Sequence, residues 1–408
     1  MIAPEIKKQI QDVAKVKCTP FYFFDLNTMI DRIDLQNKLW KKHFPNYTRA
    51  YSFKTNSLPY ITGLFLNFGF SAEAVSGNEI IFALENGYAP EKIYFDGPLK
   101  LREELQLALS KNINIQIDSI DELHAVLKLS KEMSVQPNIS FRLSTIYKDN
   151  KLSRFGMTID EYCKAKRNLD KTPYHLKGFH LHSGSNLASP DLIIASLKKY
   201  KNIIIDNLEK KHDFWINIGG GIPARSCQNR YNYITEDHFP NEIALYLKDI
   251  GIDITNLNLI IEPGRCLVED FGFLVSSVEI IKNRNKNIIV VLDAGVHLVR
   301  SLYAWHHEVE IIGVKKCDST KGRKTYTLYG FNCFESDIFA EGITFNKDIT
   351  RGDLVIVSSS GGYDIPSSNQ WIRPLPAVFG MYKDKIITIR EPLTHKDMNR
   401  NCKPYSCI

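Results

Sequence analysis

Lys54 ends the apolar run Arg49–Phe53, and other short apolar runs along the chain also stop at groups able to do chemistry. One ends in Glu73-Ala74-Val75-Ser76 and another in His180-Leu181-His182-Ser183-Gly184-Ser185, while two more end in Gly219-Gly220-Gly221 and Glu262-Pro263-Gly264-Arg265. Taken singly, each has a bland reading: a strand-end lysine is usually solvated, a triple glycine is usually a tight loop, and a strand histidine is often a satisfied core group. Together they answer one chemical demand. A lysine amine in a dry pocket gives up its proton and can form a Schiff base with an aldehyde. A phosphate needs backbone N–H groups and a cation, which Gly219, Gly220, Gly221 and Arg265 offer, with the Ser185 hydroxyl nearby. A pyridine nitrogen that must stay protonated needs a carboxylate partner, and Glu262 is placed to be it. His182 is suited to stack on such a ring. The set matches pyridoxal 5′-phosphate held on Lys54.

These groups must be brought to one place, and the spacing of the runs says how. Eight short apolar runs recur: Arg49–Phe53, Phe70–Val75, Lys92–Phe95, Asn114–Ile117, Asn138–Leu143, Leu176–His182, Phe214–Ile218 and Leu257–Ile261. Segments of helical period lie between them, such as Glu103–Ser110, Ser119–Leu129, Leu192–Leu208 and Asn241–Leu247. Eight β–α alternations over roughly 230 residues predict a (β/α)8 TIM barrel, whose active site gathers at the C-terminal ends of the strands. In barrels a phosphate is commonly held by the loops after strands 7 and 8, where the glycines and Arg265 fall. Beyond residue 270 strand-like runs follow one another: Phe273–Ile281, Asn287–Leu292, Glu308–Val314, Thr325–Tyr329, Leu354–Ser358 and Lys385–Ile389. The expected organisation is an α/β barrel over 28–270, with 1–27 and 271–408 forming a second, mostly β domain. Phe21–Phe24 could pair with either part.

Bulk properties narrow the class. The 408 residues are 44% hydrophobic and 24% charged, as in an ordinary globular protein, and exceed what one core usually serves. The net charge of +6 is spread among nearly as many acids as bases, which speaks against nucleic-acid binding. The most apolar stretch, Ile288–Val299, is broken by Asp293 and His297 and is too short to cross a bilayer. The N-terminal segment makes a poor signal peptide, so a cytoplasmic location is expected. Eight cysteines do not make a disulfide framework in a chain of this length. Cys402 and Cys407 lack nearby partners for four-ligand spacing, so no metal site is expected.

The chain resembles the barrel-type pyridoxal-phosphate decarboxylases, the family of ornithine, arginine and diaminopimelate decarboxylases related in fold to alanine racemase. The resemblance covers nearly the whole chain. It rests on Tyr51–Asn56, Glu73–Glu79, His180–Asn186, Gly219–Ile222, Glu262–Arg265, Asp293-Ala294-Gly295 and Gly361-Gly362-Tyr363. It implies that Lys54 carries the cofactor, His182 stacks on its ring, Glu262 binds the ring nitrogen, and Glu73 and Gly264 belong to the cofactor site. Ser185, Gly219–Gly221, Arg265 and Tyr363 would hold the phosphate. A Cys followed four residues later by an Asp appears as Cys333-Phe334-Glu335-Ser336-Asp337. In the family that segment reaches the partner subunit's active site, which implies a homodimer with shared sites and makes Cys333 the acid that protonates the substrate carbon.

Departures bear on the substrate, an amino acid. Relatives acting on ornithine or diaminopimelate carry an acidic residue directly after that Cys, where Phe334 stands here, with Glu335 next. An apolar ring does not pair with a free distal ammonium. The Arg matching Arg300 contacts a substrate carboxylate in the diaminopimelate enzymes, and His306 and His307 follow it closely. Glu73 replaces the usual Asp, and Ser368–Trp371 departs from the family pattern. One branch of the family decarboxylates amino acids whose distal amine is already acylated by citrate. The expectation is therefore an N-citrylornithine decarboxylase of carboxylate siderophore (rhizoferrin-type) biosynthesis, with substrate contacts from Arg300, Phe334, Glu335 and Asp337. The alternative is a diaminopimelate, ornithine or lysine decarboxylase of primary or polyamine metabolism. A racemase and a catalytically dead regulatory homologue are the remaining rivals, and Glu262, in place of the racemases' Arg, argues against the first.

Overall fold

The computed structural model describes residues 2–146, 151–169, 173–210, 213–284, 287–313, 315–316, 324–345 and 347–403. The chain divides into two compact units: Arg32–Leu267, and Met1–Asp31 with Val268–Ile408. Its first strand, β1 (Phe21–Asp25), belongs to the split unit. The next eight are β2 (Tyr47–Ser52), β3 (Ser71–Ala74), β4 (Ile93–Phe95), β5 (Asn114–Ile117), β6 (Asn138–Arg142), β7 (His175–His180), β8 (Trp215–Asn217) and β9 (Asn258–Ile261). They pair in parallel in sequence order, and β2 pairs with β9 (Tyr47 opposite Leu259), so the sheet closes into a barrel.

Strands such as Ile93–Phe95 and Asn258–Ile261 read as short, largely apolar runs because helices cover the outside while side chains fill the inside. Part of that filling is Tyr94 and Trp215, edge to face at 5.5 Å, with Ala50 and Ile260. Gly178 on β7 is required by this packing, since a Cβ there would stand 2.1 Å from the Trp215 ring. Helix starts follow the capping rule: Ser76 and Ser119 accept from the N–H of Glu79 and Glu122 three residues on. The helix expected over Leu192–Leu208 is two, Asp191–Lys199 and Lys201–Leu208. Tyr200 lies between them at φ −105°, ψ 11°, its ring buried and its hydroxyl donating to the Ser144 carbonyl at 2.6 Å. That tertiary bond outweighs the helical pattern.

In the split unit β1 pairs antiparallel with Gly272–Arg284 and parallel with Ala377–Tyr382, so Phe21–Phe24 belongs to the β-rich part. Gly272–Arg284 also pairs with Asn287–Leu292 and Leu354–Val357, and Ile338–Phe345 joins Lys324–Tyr329 at one edge. The run read as Glu308–Val314 is a strand over Val309–Ile312, and Val314 lies outside the described residues. The strands Ile338–Phe345 and Ala377–Tyr382 were not anticipated. Phe21, Phe23, Phe273, Ile356 and Phe379 form the core here, with Ile10 and Val13 of the helix Pro4–Val16 packed on it. No helix among the described residues is long and apolar enough to cross a membrane. Cys402 is exposed in the tail, and Cys407 lies outside the described residues.

A buried ion pair stabilises the barrel unit. Arg32 donates to one oxygen of Glu236, while Gln36 Nε2 donates to the other at 3.0 Å, and all three side chains are buried. Removing one member of such a set strands a charge. Glu236→Ala is expected to cost about 3–5 kcal/mol, read as a lowered urea midpoint, and an unchanged midpoint would contradict this role.

Candidate active site

Seven of the eight barrel strands deliver an ionisable side chain near their C-terminal ends, among them Asp118 after β5, 3.8 Å from Arg142. After β2 the chain makes one tight turn, Phe53–Thr55, in which Phe53 and Thr55 are buried and Lys54 leaves 42% of its side chain exposed. Lys54 Nζ donates to both oxygens of Glu73 on β3, at 2.7 and 2.6 Å, and the Ser52 hydroxyl donates to the same carboxylate. Asp96 follows β4, Arg142 ends β6, His180 ends β7, and Glu262 follows β9. One carboxylate oxygen from each of Glu73, Asp96 and Glu262 lies within 4.8 Å of the other two.

Charge pairing makes this tolerable. Arg142 donates to both oxygens of Asp96, at 3.0 and 3.3 Å. The fully buried His180 ring stands between two acids, Nδ1 3.6 Å from Asp96 and Nε2 3.3 Å from Glu262. Neither approach is aligned as a hydrogen bond, so the attraction is one of charge through space. Glu262 also accepts from Asn217 Nδ2 at 2.6 Å and Gln116 Nε2 at 3.3 Å.

These contacts separate the acids. Burial raises the Glu73 carboxyl to about 7, with Glu262 and Asp96 adding to the rise against the pull of Lys54. Burial works in the same direction on Glu262, but His180 overcomes it and holds Glu262 at about 2. Burial disfavours a charged His180, yet Glu262 and then Asp96 outweigh it and lift the ring to about 9. His182, two residues on and past the end of β7, goes the other way: burial and then Arg142 lower it to about 3. It is a neutral ring, and its Nδ1 accepts from the Gly220 N–H at 3.2 Å.

The loop after β8 closes tightly around that ring. A Cβ on Gly219 would stand 2.6 Å from His182 Nδ1, one on Gly220 would be 2.3 Å from the Glu262 carbonyl, and one on Gly221 would be 2.2 Å from the Gly184 carbonyl. Gly219 and Gly221 also have φ of +69° and +97°, so no other residue suits them. Gly264 is needed for a similar reason, since its Cβ would meet Thr55 Oγ1 at 2.2 Å. Ser185 is exposed on the neighbouring loop, and Arg265, half-buried, opens the short helix Arg265–Val268.

The remaining expected residues belong to the β-rich unit. Cys333 and Glu335 are exposed on the segment after Lys324–Tyr329, and Phe334 stacks on Trp371 with ring centroids 5.1 Å apart and planes 12° from parallel. Tyr363 sits at φ +69° at the start of the short helix Asp364–Ser367, and Arg300 is exposed. Asp337 is not available to a substrate in this unit. It is 1% exposed, and its two oxygens accept the N–H groups of Val296 and Asn332, each at 2.7 Å, which makes it a loop anchor. His307 is similarly engaged, between the Ser301 hydroxyl and the Ser358 carbonyl. Sequence reasoning assigned no role to Asp96, Arg142 or His180. The signal was present, because Asp96 ends its run just as Glu73 does and His180 lies two residues before His182.

A sequence profile described as "Pyridoxal-dependent decarboxylase, pyridoxal binding domain" matches residues 30–269. A diaminopimelate decarboxylase of Bacteroides thetaiotaomicron is 29% identical over 385 residues, 90% of this chain and 96% of that protein. One of Methanocaldococcus jannaschii is 28% identical over 86% of this chain and 82% of that protein. Among solved structures, that of diaminopimelate decarboxylase from M. jannaschii superposes with a TM-score of 0.85 at 24% identity, covering 97% and 94% of the two chains. The Helicobacter pylori enzyme complexed with L-lysine gives 0.82 at 25% identity over 96% and 98%. The chain belongs to the pyridoxal-dependent decarboxylase family. It is an enzyme that uses pyridoxal phosphate to remove a carboxylate from an amino acid.

The barrel residues fit that cofactor. An amine, an anionic carboxylate, a neutral imidazole and a glycine cradle too tight for any Cβ meet at one barrel end, and the buried Thr55 hydroxyl beside Gly264 lacks a partner.

His180 predicts a pH effect whose sign follows from its elevated folded value. Its stabilising charge is fully present below the unfolded value of about 6.5 and is lost as pH rises through about 9. The stability difference between wild type and His180→Gln should shrink from pH 6 to pH 10 in urea titrations; a difference that grew with pH would contradict the charged ring.

Proposed function

We propose that the substrate is an amino acid with a carboxylate at its distal end, diaminopimelate being the first candidate. The observation that carries this is the likeness to diaminopimelate decarboxylases along most of both chains. Decarboxylation at the carbon bearing the α-amine would then give lysine, the ligand named for the H. pylori relative. Arg300, exposed in the β-rich unit, is the residue proposed to meet the distal carboxylate.

The bound cofactor supplies an electron sink for the pair left behind when the α-carboxylate departs as CO2. Lys54 holds it through Nζ. Glu262, kept anionic, holds a proton at the ring nitrogen, and neutral His182 offers the ring a flat face without a competing charge. The N–H groups of Gly219–Gly221, with Ser185, Arg265 and Tyr363, take the phosphate. Cys333 returns a proton to the α-carbon, in a homodimer whose two copies complete each other's sites.

A second reading is favoured by one observation. Phe334 directly follows Cys333 and is stacked on Trp371, an apolar surface unsuited to a distal ammonium. N-Citrylornithine masks that ammonium and carries carboxylates beyond it, which makes it the second candidate.

Lys54→Ala should lose the visible absorption of the bound cofactor and all CO2 release; an unchanged spectrum would refute the assignment of Lys54. Offered diaminopimelate, N-citrylornithine, ornithine and lysine separately, the enzyme should release CO2 fastest from one of the first two. Faster turnover of free ornithine or lysine would overturn the distal-carboxylate proposal, and loss of optical activity without CO2 would indicate a racemase. Mixing Lys54→Ala with Cys333→Ala chains should restore part of the activity that each lacks alone, as only shared sites allow.

A further inference from the structure

The acid at the ring nitrogen is itself held by a chain of charges that no reading of the motifs assigns. We propose that His180 is a positioning residue that acts through Glu262: a buried ring, set between Asp96 and Glu262 with Arg142 behind Asp96, that keeps Glu262 an oriented carboxylate. This rests on the reading of Glu262 as partner of the cofactor's ring nitrogen.

The geometry is a line of alternating charge across the barrel end. Arg142 binds Asp96 at 3.0 Å, Asp96 faces His180 Nδ1 at 3.6 Å, and His180 Nε2 faces Glu262 at 3.3 Å. His180 is fully buried and both its nitrogens lack aligned hydrogen-bond partners, so it is placed for its charge rather than for a directional bond. The Glu262 oxygen that faces it is not the one used by Asn217 and Gln116. One side of the carboxylate is fixed by neutral amides and the other by a cation.

The charged groups around this line come from separate elements: Lys54 after β2, Glu73 on β3, Asp96 and Lys100 after β4, Asp118 after β5, Arg142 on β6, neutral His182 after β7 and Glu262 after β9. Glu73, Asp96 and Glu262 lie closest together, with Lys54, Arg142 and His180 beside them, and Asp118 shares Arg142 at 3.8 Å. If His180 were neutral, Glu262 would face no cation at hydrogen-bonding range, and its burial would favour the protonated form. Lys54 already binds Glu73 and Arg142 already binds Asp96. Glu262 is the acid left to His180, and a protonated Glu262 no longer holds the positive charge of a ring nitrogen. The elevated His180 and depressed Glu262 agree with this assignment.

The test follows the ring nitrogen directly, by ¹⁵N NMR of labelled cofactor in the holoenzyme, alongside kcat, KM and the pH dependence of the visible band. His180→Gln should move the ring-nitrogen signal toward the unprotonated position and lower kcat about ten- to a hundredfold with little change in KM. Glu262→Gln should do the same, and His180→Gln added to it should do nothing more. Should His180→Gln fail to fold, Asp96→Asn carries the test with the same expected direction. A ring nitrogen that stays protonated in the folded His180 or Asp96 variant, or a further loss in the double variant, would overturn the relay. If Glu262→Gln leaves the signal unmoved, the assignment of Glu262 fails instead.

Discussion

Burying Glu73, Asp96 and Glu262 at one end of a closed barrel is the constraint on which the rest of the site depends. Each ion taken out of water costs several kcal/mol unless an opposite charge stands beside it, and three acids within 4.8 Å also repel one another. The chain meets this with Lys54, Arg142 and His180, each delivered by a different strand. The barrel makes such an arrangement possible, because adjacent parallel strands fix the spacing of their last residues to within the width of the sheet. In an open loop cluster the same side chains would drift until solvent screened them. The charge balance is thus a product of strand register: Ser52 opposite Glu73, Gln116 opposite Ser140, and His180 opposite both Arg142 and Asn217.

The same constraint sorts the acids into roles. Glu73 is raised to about 7 because burial, with its two acidic neighbours, outweighs one lysine. Glu262 is firmly ionised because a cation faces it and two amides donate to it. Two histidines two residues apart end in opposite states for a reason of the same kind. His180 is flanked by carboxylates, whereas His182 is turned toward Arg142 and the Gly220 N–H. Spacing in sequence makes them look equivalent, and only the neighbours brought by other strands tell them apart.

That contrast marks how much was legible in the sequence. The barrel could be read from eight apolar runs with helical segments between them, because parallel strands buried on both faces leave a strong local pattern. Lys54, Glu262 and the three glycines could be expected at one barrel end because each has a requirement visible in residue type, and the structure brings them together there. Asp96, Arg142 and His180 acquire meaning only by pairing across 46 to 84 residues of chain, which no local pattern encodes. Asp337 shows the opposite error. A motif position suggested a substrate contact, while its carboxylate closes a loop by accepting two backbone N–H groups. The strand Ile338–Phe345 was missed because Glu341 and Gly342 interrupt its apolar pattern, although edge pairing with Lys324–Tyr329 needs only the backbone.

The choice between decarboxylation and the racemase chemistry known on this fold also turns on the charge at the ring nitrogen. A protonated ring draws electrons strongly enough to accept the pair released with CO2, whereas an unprotonated ring facing an arginine draws them weakly. Glu262 alone would not secure the stronger sink, since a buried carboxylate without a cation tends to protonate and become a neutral hydrogen-bond partner. On the proposed relay, the cation on its far side would secure it. On that proposal the type of reaction would be set less by Glu262 itself than by what stands behind it, a juxtaposition that three strands make together.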